Sequence, residues 1–241
     1  MGATQRIVKL APEQASRFFD QFARRFVDNR GYQTIAGRPL IAVLNLPDFQ
    51  AAYGTDGLAL LMSLLRARVE ETLGIDPFLV GLLPDGKDAS IDVAARMPCD
   101  AITGYGLLPD WAGPPLQRYE ELLEQRVAEW YRIQRRISVP FFPVVCVGWD
   151  ASRRGAHISD LRSVRSFPWR PIIVGSNPAA FGVFLDEAER FLDATDPPVR
   201  CVYIHAWNEW SEGSAVEPGT RWSDDFLKEI EKRNRIQVLT M

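Results

Sequence analysis

Residues 201–213 read CVYIHAWNEWSEG. A short apolar run, CVYI, is followed at once by two tryptophans, an asparagine and two glutamates within 207–212. A continuous apolar run of this length has the signature of a strand buried on both faces, as in a parallel sheet. The spacing predicts a strand over 200–207. Its polar end admits two readings: the strand finishes in water, or a ligand sits where it finishes.

The same pattern recurs upstream. Apolar runs at 39–46 (PLIAVLNL), 78–83 (FLVGLL), 100–107 (DAITGYGL) and 141–148 (FFPVVCVG) predict further strands. Helical periodicity lies between them. At 12–28, Phe18, Phe22 and Phe26 recur every four residues as an apolar stripe. A helix over 57–74 runs from a capping Asp56 to Gly74. A short helix is expected at 89–96. A long one at 117–136 places Leu122, Leu123, Val127, Trp130 and Ile133 on one side. Asn177-Pro178 opens another that reaches about residue 193, and a last helix covers about 222–234. One helix followed by five strand–helix units implies an α/β fold with a parallel sheet covered on both faces. No repeat or linker interrupts it, so 1–241 reads as a single domain. The longest irregular stretches, 108–116 and 149–176, both follow strands, and in parallel α/β folds those loops carry the site.

Composition narrows the function classes. The chain has 241 residues and a net charge of -3, which argues against nucleic acid or an anionic membrane as the partner. No apolar run approaches the roughly 20 residues of a membrane span. The N-terminus MGATQRIVKL lacks the apolar core of a secretory signal. Cysteines at 99, 146 and 201 lie in or beside apolar runs without paired spacing, so they read as buried free thiols and favour a cytoplasmic location. With two histidines and no recognised ligand spacing, neither a metal site nor a cofactor is expected.

The ends of the strands bring the chemistry together on one rim. They contribute Asp48; Asp100, Tyr105 and Trp111; Trp149, Asp150, Arg153 and Arg154; and His205, Asn208, Glu209, Trp210, Glu212 and Glu217. Indole faces stack on the apolar side of a pyranose while carboxylates and amides bond its hydroxyls, so a carbohydrate is the expected partner. Glu209 and Glu212 are three apart, and paired carboxylates are the machinery of glycoside hydrolysis. Glu217 is expected to orient the motif by accepting backbone N–H groups. The charges at 222–235 read as an exposed helix face.

The stretch NEWSEGSAVEP (208–218) resembles the N-E-W-x-E-G-x-x-x-E-P signature of glycoside hydrolase family 99 and the related WbsX-type proteins. GWDASRR (148–154), the passage 18–44 and NPAAFGVFL (177–185) resemble further segments of that family in the same order. The resemblance implies a (β/α)8 barrel of TIM type acting on α-linked, mannose-type glycans with retention. Carried onto matching positions, it makes Glu209 the base that activates the substrate's own 2-hydroxyl and Glu212 the acid/base. By their place on the rim, Tyr105, Trp149, Asp150, Arg153, His205, Asn208, Trp210 and Glu217 are the candidate substrate contacts.

Some positions depart from the pattern. His205 stands where the family has Asn or Ser, and Ala151 and Ser152 stand where it has Asn-Thr. The family's leading aromatic segments have no match, and five strand–helix units fall short of the eight in a closed barrel. The expectation is therefore an incomplete barrel whose first two or three units are missing, through fragmentation, a misplaced start or degeneration. An open five-strand doubly wound sheet is the fold alternative. The functional alternatives are a glycosyltransferase of surface-polysaccharide assembly, disfavoured by the lack of a D-x-D motif, and a non-catalytic glycan-binding remnant.

Open sheet edges, including strand 39–46, template further pairing. The isolated chain is expected to associate in solution. Light scattering that finds a monodisperse, cooperatively melting monomer would contradict this.

Overall fold

Apolar runs that lie between helices form short strands which pair in parallel, and this holds through most of the chain. The computed structural model describes residues 9–105, 108–155, 167, 169–233 and 236–240. His157 and much of the loop expected at 149–176 lie outside them. The chain divides into two compact units, one of 9–102 with 136–140 and one of 103–135 with 141–240.

The first unit opens with α1 (Pro12–Phe22), which widens into a π-helical turn at Ala23–Val27. Its buried face is Ala15, Phe19, Ala23 and Val27, packed with Ile41, Leu65, Val69 and Leu79. The expected stripe Phe18, Phe22 and Phe26 is therefore not the core face. Phe18 and Phe26 are exposed, and the three rings lie against one another in sequence at 6.4 and 5.9 Å. Two sets of residues repeat every four positions here, and the one with two alanines packs inward because small side chains let the backbone approach its neighbours. An apolar cavity of about 260 Å³ lies among Phe18, Phe22, Ile41, Leu44, Leu58 and Leu61.

Strand β1 (Thr34–Ile35) turns through Ala36 and Gly37, both at positive φ, into antiparallel β2 (Arg38–Val43). That is the two-residue hairpin geometry. The helical segment α2 (Leu46–Leu73) is broken at Gly54, whose φ of 76° and ψ of 168° are not helical. The segment before the break was hidden in the sequence, because LNLPD reads as a strand end. The helix stops at Gly74 in the left-handed conformation, with the Gly74 amide bonded to Glu70 O. β3 (Phe78–Leu83) follows, buried at every position and parallel to β2. Then come α3 (Asp88–Ala94) and β4 (Ala101–Gly104), giving the order β1-β2-β3-β4.

Asp100 precedes β4 and sits away from the strand's C-terminal end, contrary to the rim expected for it. Its carboxylate meets Arg38 at 2.9 Å and Arg66 at 2.6 Å, and accepts the Leu79 amide at 2.8 Å. Asp76 completes the network on the same two arginines.

In the second unit β5 (Leu116–Arg118) precedes α4 (Tyr119–Gln134). The helix buries Leu122, Leu123, Trp130 and Ile133. Next come β6 (Phe141–Phe142), β7 (Val144–Val145) and β8 (Ile172–Val174). The expected single strand 141–148 is split at Pro143, which has no N–H to donate to a ladder. β8 pairs in parallel with β5 inside what reads as loop and helix start. Helix α5 (Pro178–Thr195) is capped by Asn177, whose side chain accepts the Ala180 amide at 3.0 Å. Its Phe184 stacks on Trp130 at 5.2 Å. β9 (Cys201–Ile204) is wholly buried. β10 (Asn208–Glu209), β11 (Ser214–Ala215), α6 (Asp225–Glu231) and β12 (Gln237–Thr240) complete the unit. The three-strand order is β12-β9-β7, parallel throughout. β12 was not foreseen, since a run of four residues carries little periodicity. The three cysteines are buried and free. Among the described residues no helix is long and apolar enough to cross a membrane.

Burial works against the charged form of Asp100. The Leu79 amide, Arg66 and Arg38 outweigh it and hold the carboxyl below its ordinary range. A lowered folded value means the contribution to stability is complete above the unfolded pKa of about 3.9 and is lost as pH falls through the folded one. Asp100→Asn is expected to flatten that acid limb in urea melts and to cost about 1–3 kcal/mol at neutral pH. An unchanged acid limb would contradict the assignment.

Candidate functional site

Strand β9 lies between two parallel neighbours, so its backbone is satisfied on both sides as far as His205, whose amide donates to Val145 O at 2.8 Å. His205 and Ala206 are still buried, whereas Trp207, Asn208, Glu209 and Trp210 are exposed. The chain then folds back as a hairpin in which β10 pairs with β11, Asn208 opposite Ala215 and Glu209 opposite Ser214. Between them Trp210–Glu212 forms a single 3₁₀ turn. Gly213 closes it at a φ of 61°, with the Asp150 backbone so near that an added Cβ would lie 3.2 Å from its nitrogen. Only glycine combines that conformation with that approach at little cost.

The loop after β7 is held to this hairpin. The Asp150 amide donates to Glu212 O at 2.6 Å. The Asp150 carboxylate caps its own turn by accepting the Ser152 amide at 3.0 Å. The turn Ser152–Gly155 then presents Arg154. The Arg154 guanidinium lies 2.8 Å from Glu212 and 3.9 Å from Glu209, and it donates to Ser211 Oγ at 2.6 and 3.0 Å. One cation therefore spans both candidate carboxylates. They are unequal: the Glu212 side chain is 15% exposed and that of Glu209 is 49% exposed. Arg153, the arginine favoured from sequence, is exposed and has no ion-pair partner among the described residues. Nothing in the spacing of the two arginines distinguishes them; the 3₁₀ turn does.

The aromatic residues form a second layer. Trp149 is 2% exposed and His205 is 4% exposed, with ring centroids 6.4 Å apart. The Tyr105 ring meets His205 edge-on at 5.5 Å, and its carbonyl accepts from His205 Nδ1 at 2.9 Å. Trp111 is exposed and lies edge-on to Trp149 at 5.3 Å. Burial pushes the His205 imidazole below its ordinary value, against the opposing pull of the Tyr105 carbonyl, Glu212 and Glu209. Glu217 accepts the Trp210 indole N–H at 2.7 Å, where a backbone partner was expected. Its own amide and that of Val216 both donate to Trp207 O at 3.0 Å. Asn208 is exposed at the start of β10.

Tyr105, Trp149, Asp150, His205, Asn208, Glu209, Trp210, Glu212 and Glu217 thus all belong to the second unit. Arg154 and Ser211 join them. Ser211 lies inside the quoted motif, but its role depends on a partner 57 residues away.

A protein-family model described as Glycosyltransferase WbsX matches residues 5–230. The chain belongs to the WbsX family. Two WxcX proteins from two strains of Xanthomonas campestris pv. campestris are 30% and 29% identical to this WbsX-family chain over 149 residues. That stretch is 57% of the chain and 19% of each relative, so the match spans about a fifth of the relatives' length. Among solved structures, a glycoside hydrolase-like protein aligns with a TM-score of 0.64 at 14% identity, over 92% of this chain and 61% of its own. The glycoside hydrolase family 99 endo-α-mannosidase from Bacteroides thetaiotaomicron aligns with a TM-score of 0.56 at 13% identity, over 92% and 62%. The α/β fold of the WbsX-family chain is similar to theirs.

A Cβ on Gly219 would sit 2.5 Å from the Trp210 ring. Gly219→Ala is therefore expected to push the exposed indole off Glu217 while changing stability by less than about 1 kcal/mol. The Trp210 indole N–H resonance should move toward that of a free indole. An unmoved resonance would show that Trp210 is not held as described.

Proposed function

We propose that the chain is a retaining glycoside hydrolase or transglycosidase acting on α-linked, mannose-type glycans of bacterial surface polysaccharide, with Glu209 and Glu212 as its catalytic pair. The observation that carries this reading is the Arg154 guanidinium in contact with both carboxylates, which makes the two face one space. Family membership and the likeness to glycoside hydrolase folds support a glycan-related role.

The chemistry follows from two carboxylates beside one sugar. The Glu209 carboxylate takes the proton of the sugar's 2-hydroxyl, and O2 closes on C1. The C1–O bond to the leaving glycan breaks, and that oxygen takes the proton of the Glu212 carboxyl. Water, or another sugar hydroxyl, then attacks C1 and gives its proton back to Glu212. The C1–O2 bond opens, and O2 recovers its proton from Glu209. Two inversions at C1 leave the configuration retained. The first closure needs an axial 2-hydroxyl opposite the leaving group, which selects α-mannosides. Arg154 offsets the charge of the pair between turnovers, and Glu217 with Gly219 sets the Trp210 ring for stacking on the sugar.

The fold proposed for the whole site is a (β/α)8 barrel of which this chain supplies part. A second reading, transfer from a nucleotide sugar, is favoured by the description of the family itself. Tight binding of a nucleotide sugar would distinguish it.

Purified chain incubated with α-mannoside oligosaccharides should release new reducing ends, seen by NMR first as the α-anomer. Glu212→Gln and Glu209→Gln should each lower the rate by about 10²-fold or more. Glycan binding without any turnover in the unaltered chain would overturn the hydrolase assignment and leave a glycan-binding protein.

A further inference from the structure

Two buried polar atoms beside the carboxylate pair have no hydrogen-bond partner among the described residues: His205 Nε2 and Trp149 Nε1. Orphaned polar atoms are rare in protein interiors, because each forfeits its bonds to water without replacement. Both residues are more than nine-tenths buried. Their protonation follows from their neighbours. A carbonyl oxygen only accepts, so the contact between His205 Nδ1 and Tyr105 O places the proton on Nδ1. Burial favours the neutral ring. Nε2 is then a bare acceptor that requires a donor, and the Trp149 indole N–H is a donor that requires an acceptor.

The ring centroids are 6.4 Å apart. The two rings are therefore neighbours, and one atom that both donates and accepts can complete both. The atom must donate and accept at once, as the oxygen of a hydroxyl does. A carboxylate offers no donor, and it would also enter the field of Glu212 and Glu209. An ammonium offers no acceptor. The exposed rings of Tyr105 and Trp111 pack edge-on against the His205 and Trp149 rings respectively, so both buried rings adjoin apolar side chains that reach solvent. Apolar walls around one point of hydroxyl recognition suit a pyranose.

We infer that His205 Nε2 and the Trp149 indole N–H together receive one hydroxyl group of the bound sugar, making them the residues by which this chain selects a glycan bearing a free hydroxyl at that position. The inference rests on the glycan reading of the Glu209/Glu212 site and adds a specificity contact to it.

The test uses the unaltered full chain with isotope-labelled indole and imidazole nitrogens, titrated with methyl α-D-mannoside and each of its monodeoxy analogues. The expected result is that the mannoside shifts the Trp149 indole and His205 Nε2 signals. One analogue should leave both unmoved and bind about tenfold more weakly, a loss of one hydroxyl's bonds. In Trp149→Phe the mannoside should bind as weakly as that analogue, with the discrimination gone. If the sugars shift the Trp210 indole but never Trp149 or His205, or if all analogues bind equally, the slot is overturned and the glycan reading stands. If no mannoside or surface polysaccharide perturbs any of these signals, both fall together.

Discussion

Strand β9 is held on both sides by parallel neighbours, and the rest of the candidate site depends on that constraint. β12 pairs with β9 along Cys201–Ile204, and β7 pairs with its last two residues, Tyr203 and Ile204. The last bond on the β7 side reaches His205, and beyond it the chain must satisfy itself by folding back. The β10–β11 hairpin and its single 3₁₀ turn are that solution. They place Glu209 before the turn and Glu212 at its end. A second backbone bond, from Asp150 to Glu212 O, joins the turn to the loop after β7 and delivers Arg154 to both carboxylates. Main-chain bonds thus position the two carboxylates and the guanidinium relative to one another.

The two layers of the site face opposite electrostatic demands. The outer layer holds two carboxylates and one guanidinium where solvent reaches Glu209 easily and Glu212 much less. Charge-assisted bonds of this kind are strong where water is scarce and weak where it is plentiful, so the contact at 2.8 Å to the shielded Glu212 dominates the one at 3.9 Å. The inner layer is neutral. Burial disfavours the charged form of the His205 imidazole and the Trp149 indole does not ionise, and each keeps one polar atom without a partner among the described residues.

The first unit shows how a correct periodicity can select the wrong face. Both Phe18/Phe22/Phe26 and Ala15/Phe19/Ala23/Val27 recur every four residues. Hydrophobicity favours the first set. The second is buried because alanines at two of its four positions let α1 approach its neighbours closely. Asp100 carries a related lesson. It precedes the strand, where the Leu79 amide and two arginines claim it for stability, and only residues after a strand end are free for the site.

What the sequence determined by itself was the alternation of apolar runs with amphipathic helices, the burial of 201–204 and the family signature in 208–218, which nominates Glu209 and Glu212 as candidates. These are readable because burial on both faces removes alternation, and because motif residues are adjacent in the chain. What only the tertiary structure decided was which residues meet across long separations. Arg154 rather than Arg153 contacts the carboxylates, Ser211 anchors it, and His205 leaves one nitrogen without a partner among the described residues, beside Trp149. The short strands β5, β8 and β12 also emerged only there, since a few residues hold too little pattern to outweigh local turn chemistry. Each of these depends on how segments far apart in the chain lie against one another, and spacing along the chain carries no record of such a contact.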